Sequence, residues 1–532
     1  METKNTKSLL SCGVCCIALL LVVCIACGMM GTRLSLANSA ADKPVWDNAF
    51  KALLCYTAAV CALLLIGWHK SGTLTEGKIV TIILLLVLMA RLCYVMEINI
   101  RTNQHDTSWF GYEGQNNGHT GYMLYLLENG HLPDFDVIGR SQFYHPPLHH
   151  ILSAVWLSVQ TSIGIAFDTA AENLQILTLF YSMVTLYASY RILRELNISG
   201  TPLYASLCLL GFHPTFFLFS GSINNDCLSV MFAFLAVWAA IRWWKSPSFG
   251  KIVLLALCIG CSMLAKLATG IIAPAVAFLF LHRLVTSKGG KAKGMLIAQF
   301  AVFGVICIPL GIGWQVRNYL LFDTPLTYVP KLSAKADQYL GGYTTSERFF
   351  DWKSLTDFGV YPSRVGKDDA QYFEHCIPLT VLKTALFGEY SVWKRKDLFD
   401  VVSRTMFWAQ LGIVLSTLAG MAYSAYKLFA SKCRKAFYEE FGISRVLMAF
   451  FGIYWLSMMF SYVPFCFEFP HFCSMDFRYI VPTLLTGVVF FSVLYQKLEK
   501  WDHKASAWVR SALVALTLVF AVCGTIVYPL YY

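Results

Sequence analysis

Long runs of apolar residues recur along the whole chain and are separated by short polar segments. Runs such as 9–31, 79–96 and 512–528 are long enough for a helix to cross the roughly 30 Å hydrocarbon layer of a bilayer, which takes about 20 residues. The pattern predicts about thirteen transmembrane helices of this kind. Their approximate positions are 9–30, 49–68, 78–96, 172–190, 201–219, 226–244, 251–265, 269–284, 296–316, 402–426, 446–463, 477–495 and 508–528.

The composition agrees with this pattern. The 532 residues are 57% hydrophobic and only 14% charged, whereas soluble domains are about 25% charged. We therefore predict an all-α polytopic membrane fold. The eighteen cysteines lie mostly in apolar runs, and no pair of CxxC motifs predicts a zinc site. Because Walker, HExxH and GxSxG motifs are absent and no GxGxxG follows a predicted strand, ATP-driven transport, nicotinamide redox chemistry and serine or zinc hydrolysis are not expected.

The net charge of +11 is concentrated in short loops between the predicted helices. Such loops are typical of the cytoplasmic side of membrane proteins, so the charge sets orientation and does not predict nucleic-acid binding. This assignment places the N-terminus inside and the C-terminus outside. The loop residues are Arg191, Arg194, Arg242, Lys245, Lys251, Arg283, Lys288, Lys291, Lys293, Lys432, Arg434, Lys435, Lys497, Lys500 and Lys504.

One apolar stretch, 148–167, is not expected to cross the membrane. If it crossed, every later basic loop would face outward, against the charge rule. We therefore predict that 146–166 forms a helix along the outer interface, within a large extracytoplasmic loop that holds juxtamembrane helices. A second large outer segment follows later in the chain. The predicted divisions are two N-terminal helices (1–77), a core (78–316) with the outer loop 97–171, the second outer region (317–401) and C-terminal helices (402–532).

The first outer loop carries ionisable groups that are costly to keep beside a bilayer. Asp106 follows the predicted span 78–96 and stands next to His105, and His119 follows within the same loop. A carboxylate at this place is suited to act as a general base that takes a proton from an acceptor hydroxyl. The alternative is a solvated aspartate that caps a short helix at 107–110.

The sequence FYHPPLHH at 143–150 is the second candidate element. Two prolines favour an extended approach followed by the first turn of a helix. His145 then stands just before a helix N-terminus, where an anion such as a lipid phosphate is favoured. An ordinary helix start with an interfacial histidine is the alternative.

Acidic and amide side chains mark two further places near the predicted outer surface. Asn225 and Asp226 stand where a short outer turn enters a span. Asp226 either caps that helix or belongs to a functional site, because an acid at membrane depth is costly without a role. Glu389, in the sequence FGEY, is a further outer acid to which the residues alone assign no role.

Three cations lie at predicted outer ends of spans: Lys266, Arg317 and Arg478. One interpretation is that each side chain simply extends from the bilayer to the interface, where its charge is in contact with water. Their location on the same side as Asp106 also allows them to bind the phosphate of a substrate.

Together these motifs resemble the GT-C superfamily of membrane glycosyltransferases, which use polyprenyl-phosphate-linked sugars. The resemblance is to the branch of protein O-mannosyltransferases and aminoarabinose transferases, and it spans about 78–495. The motifs that carry it are Asp106, the helix and turn at 121–133, the PPL turn at 146–148, Asn225 with Asp226, WQVRNYLLFDTPLTY at 314–328, FGEYS at 387–391 and FRYIVP at 477–482.

The resemblance implies an inverting transferase in which Asp106 is the catalytic carboxylate. Lys266, Arg317 and Arg478 would stabilise the lipid phosphate with help from His145. Where aminoarabinose transferases typically have a lysine before the PPL turn, this chain has His145, as in protein mannosyltransferases, so the sugar is not identified. The expected substrate-binding set is completed by Asp226, which would shape sugar or acceptor binding, and by His105, His119, Asn225 and Glu389. Neither a metal nor another cofactor is expected.

The expected partners are a polyprenyl-phosphate sugar, an acceptor that is a glycan, lipid or protein, and the surrounding membrane lipids. The site is expected to face outward from the plasma (inner) membrane, or into the endoplasmic reticulum lumen in a eukaryote. A secondary transporter or flippase for a lipid-linked sugar is the alternative. Transporters place ionisable residues near the bilayer midplane, whereas the acids here lie near the outer surface, which favours an enzyme. A catalytically inactive relative of these enzymes is a third reading.

Overall fold

Helices form nearly all regular structure in the computed structural model, which describes residues 43–98, 100, 117–336, 338–356, 363–364, 371–372, 374–388, 398–430, 438 and 440–530. In chain order they are α1 (Lys43–Lys70), α2 (Glu76–Glu97), α3 (Gly118–Asn129), α4 (Leu148–Ser162), α5 (Phe167–Glu172), α6 (Leu174–Glu195), α7 (Thr201–Gly211), α8 (Pro214–Gly221), α9 (Asp226–Lys245), α10 (Phe249–Ala265), α11 (Ala273–Thr286), α12 (Gly290–Phe322), α13 (Thr345–Phe350), α14 (Ile377–Phe387), α15 (Leu398–Ala430), α16 (Arg445–Glu468), α17 (Thr483–Glu499) and α18 (Lys504–Thr525). Short 3₁₀ helices lie at Val137–Gly139, Leu267–Ile272, Phe472–Met475 and Phe477–Ile480, and a π-helix at Ile526–Leu530. Two short strands, β1 (Ser363–Arg364) and β2 (Gln371–Tyr372), pair antiparallel.

Within the described part of the chain, nine helices are long and apolar enough to cross a membrane, or up to eleven if each of two bent pairs is one span. The bent pairs are α7 with α8, at 45°, and 472–480 with α17, at 53°. Every predicted span from residue 49 onward overlaps one of these elements or the shorter apolar helix α10. The total of about thirteen is not confirmed, because 9–30 lies outside the described residues and α10 has only 17 residues. The prediction of an all-α polytopic membrane fold is confirmed.

The first outer loop contains short helices that pack on one another beside the bundle. Helix α4 has 15 residues and rises about 22 Å, so it is too short to cross the bilayer, as predicted. Its Leu157 belongs to a small buried cluster with Met123 of α3 and Leu174 of α6. The loop is also held by hydrogen bonds, since Asn173 Nδ2 donates to Gln160 Oε1 at 2.6 Å. These contacts fix α3 and α4 against the membrane helices.

The span formed by α7 and α8 is interrupted at Phe212 and His213, just before Pro214. Proline has no backbone N–H, so carbonyls at the end of α7 lose their helical donors. Arg91 of α2, fully buried, replaces those donors. Its guanidinium donates to the carbonyls of Ser182, Leu210 and Gly211 at 2.8, 3.1 and 2.8 Å. These bonds hold the bend between α7 and α8. Helix α8 then runs to Gly221, and the turn 222–225 leads from there into α9.

The described parts of the region predicted as the second outer segment (317–401) pack over one end of the bundle. Arg348 of α13 donates to the carbonyl of Cys466 at the end of α16 at 2.9 Å. Lys383 of α14 forms a fully buried ion pair with Glu374 at 2.5 Å. In addition, the hydroxyl of Thr384 accepts a hydrogen bond from the backbone N–H of Phe477 at 2.9 Å. This last contact ties the segment to the 3₁₀ helix that carries Arg478.

Candidate active site

A cavity of about 930 Å³ opens where the first outer loop, the starts of several spans and the second outer segment meet. This volume lies within the usual range for small-molecule sites, roughly 300–1,000 Å³. The cavity brings together six of the residues proposed from the sequence. They are His119, His145, Asn225, Asp226, Lys266 and Arg478.

Three charged side chains form the polar centre of the cavity. Lys266 donates from Nζ to Asp226 Oδ1, and Arg478 Nη1 lies 3.9 Å from Asp226 Oδ2. The carboxylate is only 3% exposed, and the two cations are 14% and 4% exposed. Charges this deeply buried must be paired to be tolerated. Two cations therefore meet the carboxylate of Asp226 among the described residues that line the cavity.

Local hydrogen bonds hold Asp226 and Lys266 together. The side chain of Asn224 accepts from the backbone N–H of Asp226 at 3.1 Å, which fixes the start of α9. Asn225 donates from Nδ2 to the carbonyl of Ala265 at 2.8 Å, directly before Lys266 at the end of α10. Asn224 therefore holds the backbone of Asp226 in place. Asn225 holds the end of α10, directly before Lys266.

Arg478 is presented by the 3₁₀ helix at Phe477–Ile480. Asp476 caps this turn, since its Oδ1 accepts from the backbone N–H of Arg478 at 2.6 Å. The ring of Tyr479 lies close to both cations, with its centroid 4.9 Å from Lys266 Nζ and 5.0 Å from the guanidinium carbon of Arg478. Its hydroxyl also accepts from Arg478 at 3.2 Å. Sequence reasoning did not select Tyr479, because the face that an aromatic ring presents to a cation is not encoded in local spacing.

Four histidines of the first outer loop form a cluster, of which His119 and His145 line the cavity. The rings of His119 and His145 stack at 5.6 Å, and His119 Nδ1 lies 2.9 Å from His150 Nε2. His149 donates from Nε2 to the carbonyl of Ile223 at 2.7 Å, in the turn that leads to Asp226. Burial lowers the pKa of His149 to about 4 and holds the pKa of His150 well below its usual range. Both buried rings are therefore neutral and serve as fixed hydrogen-bonding groups.

His149 and His150 were not selected from the sequence as site residues. Their only local signal is the doubled histidine after the PPL turn. Their place in the site depends on contacts with distant residues. His150 contacts His119, 31 positions away, and His149 bonds to the carbonyl of Ile223, 74 positions away.

Arg317 lies away from the cluster, and it is not among the described residues that line the cavity. Its guanidinium donates to the carbonyl of Pro133 at 2.7 Å and to Asn318 Oδ1 at 3.0 Å. The same group lies 5.3 Å from the ring centroid of Trp314. In this position Arg317 joins the end of α12 to the turn after α3.

Three of the predicted site residues, His105, Asp106 and Glu389, lie outside the described residues. Within the described part of the chain, no group of three or more His, Cys, Asp or Glu side chains is arranged to hold a metal ion. Metal independence stays a prediction.

Residues 145–308 match the family model of dolichyl-phosphate-mannose-protein mannosyltransferase. The matched segment covers less than half of the chain, but it contains His145, Asn225, Asp226 and Lys266 of the cavity wall. The predicted resemblance to protein O-mannosyltransferases is confirmed over this segment. No curated protein sequence matches the chain significantly.

Solved structures that match this chain include the oligosaccharyltransferase of Archaeoglobus fulgidus, tethered with an acceptor peptide. It is 13% identical over 84% of this chain and 55% of its own, with a TM-score of 0.47. The same protein, AglB, in complex with an inhibitory peptide and a dolichol-phosphate, gives 15% identity, the same coverage and the same TM-score. ArnT from Cupriavidus metallidurans, bound to undecaprenyl phosphate, is 13% identical over 85% of this chain and 76% of its own, with a TM-score of 0.43. This chain spans about half the length of the oligosaccharyltransferase, and similarities this weak say nothing about residue roles.

Proposed function

We propose that the protein is an inverting glycosyltransferase that moves a sugar from a polyprenyl-phosphate donor to an acceptor hydroxyl on the extracytoplasmic side of the membrane. The observation that carries the proposal is the cluster of Asp226, Lys266 and Arg478 inside a cavity of about 930 Å³. The family match over 145–308 supports the reaction class. The acceptor class, whether an envelope glycan, a lipid or a protein, is left open.

The charge of the cluster fits the donor and the leaving group. A polyprenyl-phosphate sugar is a phosphodiester with one negative charge, and Lys266 and Arg478 are cations suited to bind it. When the bond between the anomeric carbon and the phosphate oxygen breaks, the lipid phosphate gains a second negative charge. Cations fixed in a buried site stabilise that developing charge far better than they would in water.

Asp106 supplies the general base in this proposal. The acceptor oxygen attacks the anomeric carbon from the side opposite the phosphate, and its proton passes to the carboxylate. The end of the segment that carries Asp106 is anchored beside the cavity, because the backbone N–H of Gly118 donates to the carbonyl of Ser141 at 2.8 Å. Ser141 and His119 both line the cavity.

Donor binding tests the role of the cations. Purified wild-type protein is expected to gain thermal stability with one polyprenyl-phosphate sugar out of a panel, and Lys266→Gln is expected to lose that gain. Lys353→Gln, at a residue of the second outer segment that is 92% exposed, makes the same charge change and is expected to behave as wild type. If Lys266→Gln folds poorly because Asp226 loses a partner, the double variant with Asp226→Asn removes the uncompensated charge.

A stability gain that Lys266→Gln retains in full would contradict the proposed phosphate site. The absence of a gain with any donor would remove the reason for the cationic cluster and favour a transporter or a catalytically inactive protein.

A further inference from the structure

A second recess, of about 530 Å³, lies at the opposite end of the bundle from the cavity. It is bordered by the start of α7, the last turns of α17 and the first half of α18. The span formed by α7 and α8 runs from Thr201 at this recess to Gly221 next to the turn that leads to Asp226. The two sites are therefore separated by the length of a membrane span.

One end of the recess is polar and cationic. Arg510 of α18 is surrounded there by the hydroxyl-bearing side chains of Thr201, Tyr495 and Ser511. The Nε of Arg510 is buried and has no hydrogen-bond partner. Glu499 is close enough to interact electrostatically with Arg510, but the two do not form an ion pair in the described structure. Arg510 thus lines the recess with a half-buried cation that has no ion pair within the described structure.

The other end of the recess is apolar and follows one face of α18. Val514 and Leu518 stand one and two helical turns beyond Arg510 and line the recess together with Ala515. Leu518 is 55% exposed, so this face is uncovered. From Arg510 to Leu518 the helix rises about 12 Å towards the middle of the bilayer. The recess thus changes from cationic to apolar along the membrane normal, as an amphiphilic ligand would require.

The surroundings favour an anionic ligand. Lys497 lies in the last turn of α17, where it pairs with Glu440, Lys500 lies in the short connection that follows, and Lys504 begins α18. Arg510 stands six residues after the start of α18, about 9 Å along the helix, which is within reach of lipid headgroups for a long cationic side chain. Basic groups at such a membrane surface attract anionic lipids.

We propose that this recess binds an anionic phospholipid, whose phosphodiester is held by Arg510 and the neighbouring hydroxyl groups and whose acyl chain lies along Val514 and Leu518. A phospholipid is favoured over free phosphate because the apolar half of the recess continues directly from the cationic half. The site is separate from the proposed donor site and does not depend on it.

Thermal unfolding of the full-length protein in detergent tests this proposal. Adding phosphatidylglycerol is expected to raise the Tm by about 2–4 °C relative to the same amount of phosphatidylcholine. Arg510→Gln, which removes the charge and keeps most of the side-chain length, is expected to lose this difference. Lys353→Gln also removes one positive charge, at a 92% exposed side chain that does not line the recess, and it is expected to keep the difference.

A second variant covers the case in which Arg510→Gln fails to fold. Ala515→Trp fills the apolar half from an exposed position and leaves Arg510 intact, so it is expected to fold and to lose the phosphatidylglycerol effect. The proposal is overturned if wild type shows no difference between the two lipids, or if either recess variant keeps the full difference. It is also overturned if inorganic phosphate alone produces the same rise in Tm.

Discussion

At the scale of single residues, the pairing of Asp226 with both Lys266 and Arg478 defines the centre of the cavity. In the proposed function, the phosphate of the donor binds to the same two cations as this carboxylate. Asp226 is then a counter-ion that competes with the donor phosphate. Its replacement should lower the stability of the protein without ligand and should increase the stabilisation that the ligand causes.

Asp226→Asn is expected to lower the stability of the protein without ligand by about 3 kcal/mol, because Lys266 and Arg478 lose their carboxylate in a buried site. A bound polyprenyl phosphate replaces that charge. The rise in Tm caused by polyprenyl phosphate should therefore be larger in the variant than in wild type, and Lys353→Gln serves as the exposed control. An equal or smaller rise in Asp226→Asn would show that the phosphate does not bind at these cations.

The buried histidines predict a dependence of stability on pH. The pKa of His149 in the folded protein is about 4, and burial is the main cause, opposed by its hydrogen bond to Ile223 and by the charge of Asp226. In the unfolded chain a histidine has a pKa of about 6.5, so the unfolded state binds a proton first as the pH falls. The contribution of His149 is complete above about pH 6.5 and is lost as the pH falls from there towards 4, by up to about 1.4 kcal/mol per pH unit.

The comparison of wild type with His149→Gln between pH 7 and pH 5 tests this. Glutamine can still donate to the carbonyl of Ile223 but does not titrate, so its Tm should fall less over this range. His69→Gln, at an exposed position of α1, should follow wild type. Parallel curves for His149→Gln and wild type would mean that His149 is not held neutral by burial.

At the scale of helices, the apolar pattern predicted where spans lie but not where they bend. The predicted span 201–219 is bent by 45° between α7 and α8. Pro214 signals a disturbance in the sequence, yet the carbonyls it leaves are satisfied by Arg91, whose partners are more than 90 residues away in the chain. The sequence of α2 alone therefore does not explain Arg91, because its role depends on carbonyl groups of other helices.

Arg91→Met is expected to lower the free energy of unfolding by about 3 kcal/mol, because buried carbonyls lose their donors and each such group costs about 1–3 kcal/mol. It is also expected to weaken donor binding, since α8 leads directly into the turn that carries Asp226. Arg404→Met, at an exposed position of α15, provides the matched control and should change neither quantity measurably. If Arg91→Met is less stable than wild type but binds the donor with the same affinity, the bend between α7 and α8 does not position the site.

At the scale of the whole molecule, the sequence predicted the helical class and the positions of the long apolar helices in the described residues. It also selected six residues that the fold brings to one cavity. These predictions succeeded because burying a charge near a bilayer is costly. A single polar residue at the end of a span therefore indicates a candidate site even when its neighbours in the fold are unknown.

The remaining features depend on contacts between distant segments. Arg317 has the same local setting as Arg478, at the predicted outer end of a span, but it bonds to Pro133 and does not line the cavity. Tyr479 and His150 gain their places only when the outer loops fold onto the bundle. Neighbours of this kind are set by tertiary packing, which hydropathy and local motifs do not encode.

The most direct test of the account is sugar transfer by wild type and Asp106→Asn. Purified protein is supplied with the polyprenyl-phosphate sugar that stabilises it and with native membranes as the source of acceptor, and the release of polyprenyl phosphate is measured. Asparagine is nearly isosteric with aspartate but cannot take the acceptor proton, so the account predicts release by wild type and almost none by Asp106→Asn, with donor-induced stabilisation preserved in both. Equal release by the two proteins, or no release by wild type with a donor that binds, would contradict it.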